Sequence, residues 1–284
     1  MPEPLDTLTQ NLHSMTKSLD IIYALEGLKK VSRIIVPEEN IEQIKIFLGN
    51  LGLKVSISNF KVKKESDFLR GYSDKGFILD KNSREKGNFF VYASRDSESV
   101  EKAKIFEDKN DHASLGKILG YPDCCVKFFS ENFLIESKRK NDYILPALKN
   151  SSGWKFPFVN NAAIRHMDIS LLSNFPCSFG CEESREIGRK NFQMIEKISP
   201  DISKIFSEML KCPVIYTENE GISILRGAEI FENKIKYKSF IGSARSNLYN
   251  LIANNHEIYV YEKNSFSVGN VTIKGDFFGV MVFE

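Results

Sequence analysis

Four of the five cysteines fall in two tight pairs. Cys124 and Cys125 sit side by side in Gly-Tyr-Pro-Asp-Cys-Cys-Val, and Cys177 and Cys181 close the segment Pro-Cys-Ser-Phe-Gly-Cys. Cys212 stands alone. Cysteine number and spacing constrain a fold strongly, because paired thiols mark a shared ligand or a shared reaction. Two pairs so far apart in the chain can meet only if folding brings their segments together. The ordinary reading of a cysteine as a small buried hydrophobe suits Cys212. It suits the pairs less well, because neighbours on a helix diverge by about 100° around its axis and do not share one buried face.

Both pairs fall where a turn feeds a helix, the position at which a thiol most readily becomes a thiolate. A disulfide within the adjacent pair closes a strained ring. In a reducing cytosol, paired cysteines are more often ligands or catalytic thiols than structural bridges. Four thiolates can complete a tetrahedral zinc site or hold an iron–sulfur cluster. Zinc knuckles space each pair by about two to four residues, whereas here the second pair has three intervening residues and the first has none. Two adjacent ligands to one zinc ion require a helix broken at that point. A cluster spreads its ligands over several irons and takes adjacent cysteines more easily. The expectation is therefore a metalloprotein, an enzyme, with an iron–sulfur centre on Cys124, Cys125, Cys177 and Cys181, zinc being the alternative ion.

Two other readings compete. One is a metal-free thiol enzyme that uses one cysteine of each pair, one as nucleophile and another as resolving thiol. There Asp123 caps the helix that carries Cys124 and Cys125, and the helix dipole lowers their pKa, with the neighbouring acids Asp123, Glu182 and Glu183 opposing it. The other is a non-catalytic binding protein stapled by a structural zinc. For acid–base work the candidates are Asp123 and His166, which precedes Cys177 in Arg165-His166-Met167-Asp168. A lone histidine is only weak support for proton transfer, and Arg165 and Asp168 read equally well as surface charges. His13 and His256 read as structural.

The chain has 284 residues, with 39 basic and 37 acidic side chains and a net charge of +2. That balance gives no support to a nucleic-acid partner, though it leaves one open, and none to an anionic membrane. The basic runs Lys61–Lys64 and Lys138–Lys140 read as solvated faces. No basic head and apolar core mark a secretory signal at the N-terminus. No apolar run reaches the 18 or so residues of a membrane span. A cytoplasmic protein without a membrane partner is expected. Phosphate-binding loops, paired-glycine dinucleotide fingerprints, His-Glu-x-x-His helices and Gly-x-Ser-x-Gly elbows are missing, so the substrate is unknown.

Apolar periodicity predicts one helix over 7–30, a strand at 31–36, a helix opened by Pro37 and running through Leu48, and an alternating strand over 53–60. Strands follow at 76–79 and 88–92. Helices are predicted from Ser97, from Asp111 to the Leu119-Gly120 stop, from Pro122-Asp123 to about Lys138, over 182–198 and over 201–210. Short strands fill the rest, including 234–240, with one helix over 243–254. The fold class is α+β: a mixed α/β sheet region (1–96), a helical region bearing the cysteines (97–211) and a β-rich region (212–284), or all three as one compact unit.

The segments Leu119-Gly120-Tyr121-Pro122-Asp123-Cys124-Cys125 and Pro176-Cys177-Ser178-Phe179-Gly180-Cys181 resemble the hallmarks of a family of uncharacterised prokaryotic proteins, largely archaeal. These hallmarks are Leu-Gly-Tyr-Pro-x-Cys-Cys and Pro-Cys-Ser-x-x-Cys. The resemblance extends over most of residues 30 to 200 and implies no activity. A looser similarity is to the cysteine-rich domains of heterodisulfide-reductase-like proteins, which imply an iron–sulfur cluster. This chain lacks their glycine after the double cysteine and their extra upstream cysteine.

Overall fold

The computed structural model describes residues 4–65 and 72–284. Residues 1–3, part of the segment read for a leader signal, lie outside the described residues. The periodic stretch expected as one helix forms two, α1 (Pro4–Leu12) and α2 (Met15–Leu25). His13 between them takes a φ of 50°, a left-handed conformation through which no α-helix continues. Ser14 then caps α2, accepting from Lys17 N at 3.2 Å. Asp168, which read as a surface charge, caps the same end: its carboxylate accepts from Ser14 Oγ at 2.8 Å and Thr16 N at 3.1 Å. An acid at a helix N-terminus satisfies orphan amides and complements the dipole.

β1 (Ser32–Pro37), α3 (Ile41–Asn50), β2 (Lys54–Ile57), β3 (Phe60–Lys64), β4 (Gly76–Asp80) and β5 (Asn88–Ser94) follow. Their strands form one antiparallel sheet with β5 at its centre, flanked by β1 on one edge and by β2 and β3 on the other. The single strand expected over 53–60 is therefore two. At Ser58 the side chain takes over from the ladder, accepting from Phe90 N at 3.2 Å and donating to Phe60 O at 2.6 Å. β5 is buried on both faces. Phe89, Val91 and Ala93 join the main core beneath α1 to α3. Phe90 and Tyr92 enter a smaller core with Val100, Ala103, Leu115 and Leu119. The period of two along a strand produces that division.

The helical region comprises α4 (Ser97–Asp108), α5 (His112–Ile118), α6 (Asp123–Arg139), α7 (Ile144–Lys149), the short β6 (Lys155–Phe156), α8 (Glu182–Ile198) and α9 (Pro200–Leu210). The remainder carries β7 (Val214–Thr217), β8 (Ile222–Arg226), β9 (Glu229–Phe231), β10 (Lys234–Lys236), β11 (Ser239–Gly242), α10 (Asn247–Ala253), β12 (Glu257–Glu262), β13 (Ser265–Val268), β14 (Val271–Lys274) and β15 (Phe278–Phe283). One sheet runs β14-β13-β12-β10-β9 and the other β11-β8-β7-β15-β6. The run 234–240 is thus not one strand. The chain changes sheets at Tyr237-Lys238, where Tyr237 N donates to His256 O and Lys238 N to Arg226 O. The main core extends from Leu5 to Phe283 and takes in residues from all three stretches of chain. The fold is mixed α+β, as the sequence pattern predicts.

Asp142 ties the helical region to the last sheets. Tyr216 Oη donates to its Oδ2 at 2.6 Å, and Ile144 N donates to its Oδ1 at 3.1 Å. Loss of hydration pushes this carboxyl up to about 6; the two hydrogen bonds and Arg165 pull it down, and the neighbouring Asp74 pushes it further up. The folded protein therefore holds this proton more tightly than the unfolded chain, whose value is 3.8. Stability is lost as pH rises through that window and regained as it falls. Asp142→Asn keeps an oxygen for Ile144 N and reverses the Tyr216 contact, its Nδ2 donating to Tyr216 Oη, with a neutral group. It is expected to raise stability near pH 8, by at most about 3 kcal/mol, and to have little effect near pH 4. Urea unfolding at the two pH values checks this, and an equal change at both would refute it.

Candidate metal centre

The Leu119-Gly120-Tyr121-Pro122 segment is a tight link between α5 and α6. Gly120 takes a φ of 78°, the left-handed turn that ends a helix and that glycine adopts without strain. Tyr121 N then donates to Gly116 O at 3.0 Å. Pro122 follows as the residue before α6, so Cys124 and Cys125 lie in its first turn. Asp123 does not cap that helix. It is the first helical residue, exposed, with Lys117 at 3.5 Å.

On the other side, Cys177 and Cys181 bracket a turn closed by Cys181 N donating to Ser178 O at 3.1 Å. Cys181 is the residue before α8. The turn is fixed by three polar side chains. Buried Asn160 donates through Nδ2 to Phe179 O and Cys181 O, both at 3.0 Å. Ser151 Oγ accepts from Phe179 N at 2.8 Å, and Asn150 donates to Cys177 O at 3.3 Å. Phe179 packs on Phe156 and Phe283, ring centres 5.4 and 5.7 Å away, where β6 runs parallel to β15. A Cβ on Gly188 would stand 2.7 Å from Val159 O, so the glycine lets α8 lie directly on the segment that presents Asn160.

Folding brings the four sulfurs together. Cys124 Sγ lies 3.6 Å from Cys181 Sγ and 3.8 Å from Cys125 Sγ, and Cys125 Sγ lies 3.8 Å from Cys181 Sγ. With Cys177 Sγ, all four are within 4.8 Å of one another. The four-cysteine group is positioned to hold a metal ion, and no disulfide joins its members. α6 is unbroken at the adjacent cysteines, contrary to the expectation that both could face one small site only across a broken helix. The reason is their place in the first turn. Side chains on a helix lean toward its N-terminus, and there no preceding turn keeps them apart. Two diverging side chains thus converge in front of the helix end.

The electrostatics suit anionic sulfur. The N-termini of α6 and α8, each with partial positive charge, both present cysteines to the cluster. Cys125 Sγ also accepts from Cys177 N at 3.3 Å and lies 3.2 Å from Ser184 Oγ. The thiols nonetheless oppose one another's ionisation. Burial and the neighbouring Cys181 push Cys124 up to about 12. The hydrogen bond to Cys181, then burial, push Cys125 up, and burial pushes Cys177 up. Cys181, which accepts from Cys125, is pulled down to about 5. A bound cation lets all four ionise together. Glu183 Oε2 stands 3.5 Å from Cys181 Sγ and 3.7 Å from Cys124 Sγ.

His166 does not join this cluster. It sits in a 3-10 turn (Arg165–Met167) with its ring 5.9 Å from that of Tyr72, and burial lowers its pKa. Cys212 is also elsewhere, donating to Glu208 O at 3.3 Å. Sequence reasoning missed Ser151, Asn160 and Ser184. The doublet Asn160-Asn161 within Phe158-Val159-Asn-Asn-Ala-Ala-Ile carried a signal, since asparagine in an apolar run is an unusual buried residue. The two serines carried none.

Residues 93–210 match the family model described as "Protein of unknown function (DUF483)". The matched stretch holds all four clustered cysteines, α4 to α9 and the Asn160 support, so the similarity to that uncharacterised family covers the whole centre. No curated protein and no solved structure matches the chain. Among the described residues, no helix is long and apolar enough to cross a membrane.

Proposed function

We propose that Cys124, Cys125, Cys177 and Cys181 bind one zinc ion, and that the protein is a zinc-stapled binding protein whose centre is structural. The observation that carries this reading is the spacing of the sulfurs. Four thiolates placed tetrahedrally at zinc–sulfur distances of about 2.3 Å stand about 3.8 Å apart. The three separations of 3.6, 3.8 and 3.8 Å match that edge length. An iron–sulfur cluster distributes its thiolates over several irons, and its ligands span a wider polygon than one in which every pair lies within 4.8 Å. The geometry thus favours a single ion over the cluster first expected.

Four protein ligands close a zinc site, whereas catalytic zinc keeps one position for water or substrate. The elements joined are the start of α6, the 177–181 turn and the start of α8, each already fixed by hydrogen bonds to backbone. A metal-free thiol enzyme is less well supported. The thiol most disposed to ionise, Cys181, is buried at 5% exposure, and the partly accessible Cys124 and Cys177 are both pushed up. Elemental analysis of anaerobically prepared protein tests the proposal. One zinc per chain and no visible absorption band are expected. Bound iron with a visible band, or no metal, would overturn it.

A further inference from the structure

The arrangement of the four sulfurs singles out one as a point of chemical modification. We infer that the centre is a peroxide-sensitive site at which Cys124 is oxidised first and is captured by Cys181, forming a disulfide that displaces the metal. The inference rests on the zinc reading and adds a regulation to it.

Three observations carry it. Cys124 is only partly buried, while Cys125 and Cys181 are 2% and 5% exposed, so a small polar oxidant reaches Cys124 before either of them. Cys181 Sγ lies 3.6 Å from Cys124 Sγ, within direct contact. Cys125 is nearly as close, at 3.8 Å, yet is a poor partner. Adjacent residues hold their Cα atoms about 3.8 Å apart, short of the roughly 4.4–6.8 Å a relaxed disulfide spans. The unbroken first turn of α6 offers no slack to absorb the strain. Cys177 is also partly exposed but is more buried than Cys124, and its turn is pinned through the backbone by Asn150, Ser151 and Asn160.

The chemistry balances with a hydroperoxide as oxidant. The Cys124 thiolate attacks the distal peroxide oxygen, the O–O bond breaks, and the departing oxygen takes a proton and leaves as water or alcohol. Cys124 becomes a sulfenic acid. The Cys181 thiolate then attacks that sulfur, an S–S bond forms, the S–O bond breaks, and hydroxide takes a proton and leaves as water. Two sulfurs supply two electrons, the peroxide accepts them, and two protons are consumed. The product removes two of the four donors from the metal. It also covalently joins the N-termini of α6 and α8, the two helix ends the ion had linked. Metal release by this route therefore leaves the fold joined at the same place.

The test uses the full chain with Cys212→Ser, which removes the one thiol outside the cluster, after elemental analysis has fixed its zinc content. Hydrogen peroxide is added anaerobically, released zinc is followed with a chromogenic chelator, and disulfides are mapped by mass spectrometry without reduction. One equivalent of zinc is expected for each Cys124–Cys181 bridge, both reversed by dithiothreitol and added zinc, with far-ultraviolet circular dichroism retained. Overturning results are a Cys124–Cys125 or intermolecular bridge, sulfinic acid at Cys124 without a bridge, or zinc fully retained at excess peroxide. A protein prepared without zinc defeats the zinc reading instead, and that outcome is known before any oxidant is added.

Discussion

Replacing Cys125 by serine is expected to weaken zinc binding by more than about 100-fold, beyond what loss of an outer-shell partner of a ligand costs. Cys125 is the most enclosed of the four clustered thiols: it is 2% exposed, receives the Cys177 amide and contacts Ser184. A hydroxyl there neither ionises nor reaches as far. With free zinc about a thousandfold above the dissociation constant, the bound ion contributes about 4 kcal/mol of stability, and the serine variant forfeits it. The thermal midpoint of the parent should fall on chelation to that of the variant, while chelator leaves the variant unmoved. Cys212→Ser, outside the cluster, should behave as the parent does. Full zinc content and an unchanged midpoint in the Cys125 variant would show that the four sulfurs do not act as a ligand set.

Asn160→Ala is expected to cost about 1–3 kcal/mol, because it leaves the buried Phe179 carbonyl without its side-chain donor and the Cys181 carbonyl with Arg185 N alone. Those carbonyls, of Phe179 and Cys181, belong to the turn that presents half of the sulfurs. The change should therefore also lower zinc affinity, by about 10- to 100-fold, as loss of the groups that orient a ligand does. Denaturant unfolding with and without zinc separates the two effects. If the variant lost stability while its zinc affinity stayed at the parent value, Asn160 would be a packing residue and not a support of the site. Gly188 and Val159 bring α8 and the Asn160 segment together whatever residue stands at 160, so the variant has a folded state in which affinity can be measured.

Much of this architecture could be read from the chain because the signals were local. Periodicity and caps placed α4, α5, α6, α8 and α9 to within a few residues, and the spacing of cysteines marked the segments that meet. What escaped depended on distant partners. The break at His13 is stabilised by Asp168, far along the chain. The kink at Ser58 answers Phe90. β13 alternates polar and apolar over only four residues, and Ser265 and Ser267 on its polar side are buried too, so the pattern was too short to declare it. The convergence of the adjacent cysteines was misjudged for a different reason. The 100° divergence of adjacent residues holds along a helix, but where the helix begins there is no preceding turn, and the rule loses its force.

The parallel pairing of β6 with β15 has a consequence for how the protein is made. The chain emerges from the ribosome in order, and regions with local contacts organise first. All four cysteines, and the helices that carry them, are synthesised well before β15. Yet Phe179, at the centre of the cysteine turn, packs on Phe283, and Phe158 N donates to Glu284 O at 2.9 Å. During that interval the thiols have left the ribosome while one wall of their turn does not yet exist. The cysteine site is thus completed only once β15 has been made, and a nascent chain stalled before β15 carries its four thiols without one wall of their turn.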